Sequence, residues 1–190
     1  GRWKISYPQQ DTVFKTTAMV LYSNDESIDE SKLRLNYDDS TWKYYAWRTN
    51  LSSKYAYWRM NIPVGTKSII LPTHMLGKKK MNLSDTSVSL SSSAHILGFV
   101  LDSEEQKIAI APFKFLVESG EASGIQSWYA LGLQQFAGCI DCETSIMINN
   151  PSAKVSIDLG KVKSVAEVFV NGQSVGARLW PPFVFDISDK

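Results

Sequence analysis

The feature that most limits what this chain can fold into is the spacing of its apolar residues. No stretch holds a long helical period. Short runs instead alternate between two faces and stop at Pro, Gly or Asn-Gly. The clearest run is 55–62, with Tyr55, Tyr57, Arg59 and Asn61 on one face and Ala56, Trp58, Met60 and Ile62 on the other. In residues 3–7, Trp3, Ile5 and Tyr7 alternate with Lys4 and Ser6 before Pro8 ends the strand. Residues 13–22 read as a less regular strand, 23–31 as loop or one helical turn, and Leu33 with Leu35 as the start of a short strand. Turns are expected at Asp38-Asp39-Ser40 and Pro63-Val64-Gly65. Strands over 68–71, 80–90, 95–101 and 108–117 complete a first set, and polar residues 118–127 follow as a loop. A second set occupies 140–148, 155–159, 166–170, 174–180 and 184–187. It is punctuated by Asn149-Asn150-Pro151, Gly160, Pro181-Pro182 and the strongest hairpin signal of the chain, Asn171-Gly172. The expected class is all-β, with strands at sandwich-like spacing.

Composition narrows the function classes. With 20 basic and 19 acidic side chains in 190 residues, the net charge of +1 makes no global case for nucleic acid or an anionic membrane as partner. No apolar run approaches the roughly 18 residues of a spanning helix. Two cysteines cannot staple a fold of this size, so a hydrophobic core must hold it. Six Trp, eight Tyr and eight Phe favour half-buried pleated surfaces. Such rings either fill cores or, where exposed, offer flat faces to sugar C–H groups.

An offset of 86 residues brings two halves into correspondence. Ile62 then falls on Ile148, Ile69 on Val155, Leu71 on Ile157, Leu83 on Phe169, and Asp85-Thr86 on Asn171-Gly172, while Trp42 and Trp128 each precede a strand set. The expected organisation is two related β-sandwich units, 1–111 and 112–190.

The second half carries a longer string. Trp128, Leu131-Gly132-Leu133 and Phe136-Ala137-Gly138 lead into the strand at 140–148. Val155-Ser156-Ile157-Asp158-Leu159-Gly160 and Val165-Ala166-Glu167-Val168-Phe169-Val170-Asn171-Gly172 follow. Val175-Gly176, Leu179-Trp180-Pro181-Pro182-Phe183 and Phe185-Asp186-Ile187 close it. This string resembles the galactose-binding-like jelly-roll domains of large glycoside hydrolases, notably the sugar-binding domain of the family-2 β-galactosidase group and the C-terminal sandwiches of α-L-rhamnosidase-like enzymes. It covers 112–190 well. Over 1–111 it is weaker, resting on Gly1-Arg2-Trp3 and on Tyr57-Trp58-Arg59 with Pro63. Cys142 departs from it, standing where the group often has Tyr. The resemblance implies two jelly-roll units, a periplasmic or extracellular location, a catalytic domain as partner and carbohydrate as a further one. It also implies one more core strand after Asp186-Ile187, so that a strand from residues 1–22 or from another chain is expected to fill the edge beside 184–187, or else the isolated chain is expected to aggregate.

Chemistry-bearing residues are few. Asn171, Gly172, Gly160, Pro181, Pro182 and Asp186 read as structural parts of the motif. Glycoside hydrolysis uses two carboxylates roughly 5–10 Å apart. Glu143, Asp158, Glu167 and Asp186 are the candidates, and turn bonding accounts for Asp158 and Asp186, so no catalytic residue is expected. Cys139 and Cys142 have the spacing of half a zinc or redox motif, but no second pair exists and His74 and His95 are distant, so buried free thiols are expected. The lysine run 78–80 reads as a solvated turn. No cofactor is expected, and no acidic loop of calcium-binding type supports a structural calcium. For sugar, the dense aromatic group Trp42, Tyr44, Tyr45 and Trp47 and the separate Trp180 are the candidates. The expected function is a non-catalytic accessory region of a secreted glycoside hydrolase, with an independent carbohydrate-binding module as the alternative.

Overall fold

The computed structural model describes residues 1–34, 37–46, 53–70, 87–89, 96–102, 112–124, 127–149 and 154–188. Among these residues the fold is all-β apart from one 3₁₀ turn, Glu30–Leu33, and the chain divides into two compact units, Gly1–Thr144 and Ser145–Lys190.

The first unit contains β1 (Trp3–Ser6), β2 (Thr12–Lys15), β3 (Thr17–Ser23), β4 (Lys43–Ala46), β5 (Tyr55–Asn61), β6 (Thr66–Ile70), β7 (Ser87–Ser89), β8 (Ile96–Asp102), β9 (Phe113–Val117), β10 (Gly120–Ala122) and β11 (Asp141–Glu143). Two four-stranded antiparallel sheets, in the orders β2-β9-β6-β7 and β4-β3-β5-β8, enclose the main core. Val13, Ile69, Phe113 and Phe115 enter it from one sheet, and Val20, Ala56, Trp58, Leu97 and Phe99 from the other. The rings of Trp58 and Phe99 lie stacked, with centroids 5.8 Å apart. This is sandwich packing, two pleated sheets sharing one apolar layer. A third sheet, β10-β1-β11, uses the backbone of β1 on both sides.

The period-two reading of 55–62 holds residue by residue. Ala56, Trp58, Met60 and Ile62 belong to the main core, and Tyr57 to a second cluster with Leu33, Trp42 and Val100 on the opposite face. That opposite face is therefore also buried. On that face Arg59 is 1% exposed. Its Nε donates to Asp39 Oδ2 at 2.8 Å and its other nitrogens to the carbonyls of Lys32, Arg34 and Tyr37. The guanidinium also stands 5.8 Å from the Trp42 ring centroid. The planar fork of donors matches this set of acceptors spread along one segment.

Several expected boundaries shift for identifiable reasons. Residues 13–22 form two strands in different sheets, because the chain crosses from one sheet to the other at Thr16. Leu33 closes the 3₁₀ turn, capped by Asp29 accepting from Ser31 N, instead of opening a strand. Residues 120–122 pair with β1, although their side chains carry no strand pattern. The strand at 140–148 is confined to β11, where Glu143 pairs with Lys4. Ile146, Met147 and Ile148 lie outside any strand, with Met147 90% exposed.

The domain division also differs from the expected one. A boundary at 111 would part β9 from its partners β2 and β6, and β10 from β1, so the first unit runs to Thr144. The described members of the 86-residue correspondence do not share environments. Ile62 is buried and Ile148 exposed; Trp42 is buried and Trp128 exposed. Leu71, Leu83 and Asp85-Thr86 lie outside the described residues.

The second unit contains β12 (Ser156–Asp158), β13 (Ala166–Val170), β14 (Gln173–Arg178) and β15 (Val184–Asp186). Sheets β12-β15 and β13-β14 bury Val168, Phe183 and Phe185 among Ile157, Leu159, Val162 and Val175. Asn171-Gly172 turns the β13–β14 hairpin with φ of 50° and 78°, as its sequence requires. Gly172→Val should cost this unit about 1–2 kcal/mol, because a β-branched residue resists the left-handed region. Proteolysis of the hairpin under native conditions, compared with the parent chain, reads that loss. Among the described residues β15 pairs with β12 alone. Residues 1–22 do not supply a strand to it, since β1, β2 and β3 all pair inside the first unit.

Candidate functional site

Within the aromatic group at 42–47, the Trp42 side chain is not part of an exposed platform. Trp42 is buried, tilted against Tyr37 and Tyr57 at centroid distances of 5.8 and 6.5 Å. Its faces are occupied by those rings and by the Arg59 guanidinium, so no sugar can stack on it. Tyr44 and Tyr45 belong to β4, opposite Met19 and Ala18 of β3. Trp47 lies outside the described residues, as do His74, His95 and the lysine run 78–80.

Among the sugar candidates whose side chains are described, Trp180 is open to a ligand, at 70% exposed. Two connections carry it. Leu159 N donates to Phe183 O at 3.0 Å, extending the β12–β15 ladder by one rung. Ala166 pairs with Arg178 at the near end of the hairpin. Between these two rungs, residues 160–165 and 179–182 run from one small sheet to the other at the same end of the unit. Gly160, at φ 65°, starts the first connection, and its N–H donates to Asp158 Oδ1 at 2.8 Å. The Pro181-Pro182 bond in the second is cis. Leu179, next to Trp180 in the chain, and Val165, at the end of the other connection, are 62% and 58% exposed. The site is thus an open indole face on an apolar shoulder.

The candidate carboxylates are each engaged locally. Asp186 Oδ1 accepts from Ser188 N and Oγ at 2.9 and 2.6 Å, which holds its carboxyl below the usual range. Ser188 Oγ in turn accepts from Val155 N, so Asp186 fastens the end of β15 to β12. Asp158 caps Gly160 as described, Glu167 accepts from Ser174 Oγ at 3.0 Å, and Glu143 faces Lys4 at 3.8 Å. Bonds of this kind explain structural carboxylates and hold no reacting proton. Cys139 is exposed and Cys142 half-buried, both free, so the expected pair of buried thiols is only half present. Burial, then Asp141 and Cys139, raise the Cys142 thiol, which keeps it protonated and a poor nucleophile. Among the described residues no three His, Cys, Asp or Glu side chains gather as metal ligands, and no helix is long and apolar enough to cross a membrane.

The sequence reading passed over Lys15, which is 1% exposed. Its Nζ donates to Asn61 O, Gly132 O and Gln134 Oε1 at 2.5, 3.1 and 2.9 Å. Beside it, Gln135 Oε1 accepts from the N–H groups of Thr16 and Thr17. These bonds stitch residues 132–135 to the β2–β3 crossing, while Leu131 and Leu133 enter the main core. Burial pushes the Lys15 ammonium down to about 7. Such a value is found in catalytic lysines, but this Nζ is enclosed by its three acceptors and offers a reagent no approach. The available signal was the alternation itself, Val13 and Lys15 sharing a face while Phe14 points out.

No family model, curated protein or solved structure matches the chain.

Proposed function

We propose that this chain is a non-catalytic accessory region of a secreted glycoside hydrolase, built from jelly-roll units, which packs on the catalytic domain and contacts carbohydrate through Trp180. The glycosidase context, the periplasmic or extracellular location and the jelly-roll topology rest on the motif resemblance over 112–190. The observation that carries the site is the exposed Trp180 ring, on one of the two short connections that join the small sheets of the second unit. The same observation favours the alternative, an independent carbohydrate-binding module, because an open indole face is all that stacking requires. The local bonding of Glu143, Asp158, Glu167 and Asp186 supports a role without catalysis. The chain alone should therefore release no aglycone from a panel of aryl glycosides above a buffer blank. Release that disappears in Glu143→Gln or Glu167→Gln would reject the non-catalytic reading.

A further inference from the structure

The two connections that frame Trp180 differ from the rest of the unit in charge. Residues 160–165 contain Lys161 and Lys163, residues 179–182 follow directly on Arg178, and neither connection contains an Asp or Glu. Val162, lying between the lysines, packs against the core of the unit, so Lys161 and Lys163 both point outward and are exposed. Arg178 is held at the base of the same end, its guanidinium 5.1 Å from the Phe185 ring centroid. None of the three has an ion pair among the described residues. The nearest carboxylate along β13, Glu167, is engaged by Ser174. Because the rungs Leu159–Phe183 and Ala166–Arg178 bound both connections, the cations and the indole are confined to one end of the unit.

We propose that this end of the second unit binds an anionic saccharide. The Trp180 ring stacks on a sugar face, and Lys161, Lys163 and Arg178 attract the carboxylate or sulfate groups the sugar carries. The inference rests on the carbohydrate contact proposed above and names its ligand class. A neutral sugar would leave the three cations at this end of the unit unused. A nucleic acid backbone is a poorer match, since duplex binding draws on a longer track of cations than three residues supply. A membrane surface would seat more apolar area than Val165, Leu179 and Trp180 provide.

The test uses the full chain and two polymers, dextran and galactan, each unmodified and carboxymethylated, at equal chain length. Tryptophan fluorescence should report binding to the carboxymethylated forms at least about tenfold tighter than to the unmodified ones. Trp180→Ala should abolish that preference's fluorescence signal and weaken binding measured by calorimetry at least about tenfold, with an unchanged melting temperature because the ring is exposed. Lys161→Gln and Lys163→Gln should each weaken binding about two- to fivefold and flatten its salt dependence. Equal binding to the unmodified and carboxymethylated forms would overturn the anionic preference and leave the carbohydrate contact standing. Absence of binding to all four would overturn both. Equally tight binding of an oligonucleotide or of phosphatidylserine vesicles would also overturn the inference, by showing general capture of anions.

Discussion

Arg59→Ala should destabilise the first unit by about 3–5 kcal/mol, the range found when one partner of a buried ion pair is removed. In a domain of this size that lowers the melting temperature by roughly 10 °C. The residue is fully enclosed, and its removal strands the Asp39 carboxylate and the carbonyls of Lys32, Arg34 and Tyr37 together. The cover over Tyr57 and Val100 then loses its main polar anchor, and the packing of Leu33 and Trp42 has to hold it. Arg59→Lys should recover less than half of the loss, since an ammonium cannot reach acceptors spread along the segment as the planar guanidinium does. Thermal unfolding of the three proteins side by side measures this. A loss under about 1 kcal/mol for Arg59→Ala would show that the cover is held by its apolar contacts alone.

A second large effect concerns pH. The folded-state value of about 7 for Lys15 lies below the ordinary lysine value of 10.5. Between those values the unfolded chain holds the proton more tightly than the folded one. The unfolded state therefore binds more protons, and stability rises with pH across the window. From pH 7 to about 8.5 the gain is roughly 1.5 kcal/mol, at up to about 1.4 kcal/mol per pH unit. Cys142 acts in the opposite sense. Its thiol is raised by burial, so above the ordinary thiol value of about 8.5 the unfolded chain loses that proton first and stability falls. The expected profile is a rise from pH 7 that levels off above about 8.5. Urea unfolding at a series of pH values should show the rise in the parent chain, its disappearance in Lys15→Met and a longer rise in Cys142→Ser. A flat profile in the parent chain would mean that the three acceptors around Nζ offset its desolvation.

These two residues also mark what could be read from the sequence. The alternation of 55–62 fixed the faces of β5 correctly, because a period of two survives whatever packs on either side. It could not say that the Arg59 face is also buried, since that depends on a cover drawn from residues 32–42, distant in sequence from β5. Trp42 was misplaced for the same reason. Lys15 stayed hidden because its acceptors come from residues 61, 132 and 134, far apart along the chain. Local signals fared better. Asn171-Gly172, Gly160 and Asp186 act through bonds within two or three residues, and each does in the structure what its type requires nearby. Strand extents were less legible, because β10 and β11 owe their pairing to the backbone of β1 and not to their own side chains.

The proposal that the chain contacts carbohydrate through Trp180 and leaves chemistry to another domain is open to a single experiment. Isothermal titration calorimetry tests it most directly, with the parent chain and Trp180→Ala titrated against one panel of neutral and acidic oligosaccharides, each cell's contents then checked by chromatography for shortened products. The expected result is a binding heat in the parent chain, its loss in Trp180→Ala, and oligosaccharides recovered intact. Binding that survives Trp180→Ala, shortened products, or no binding heat across the panel would contradict it.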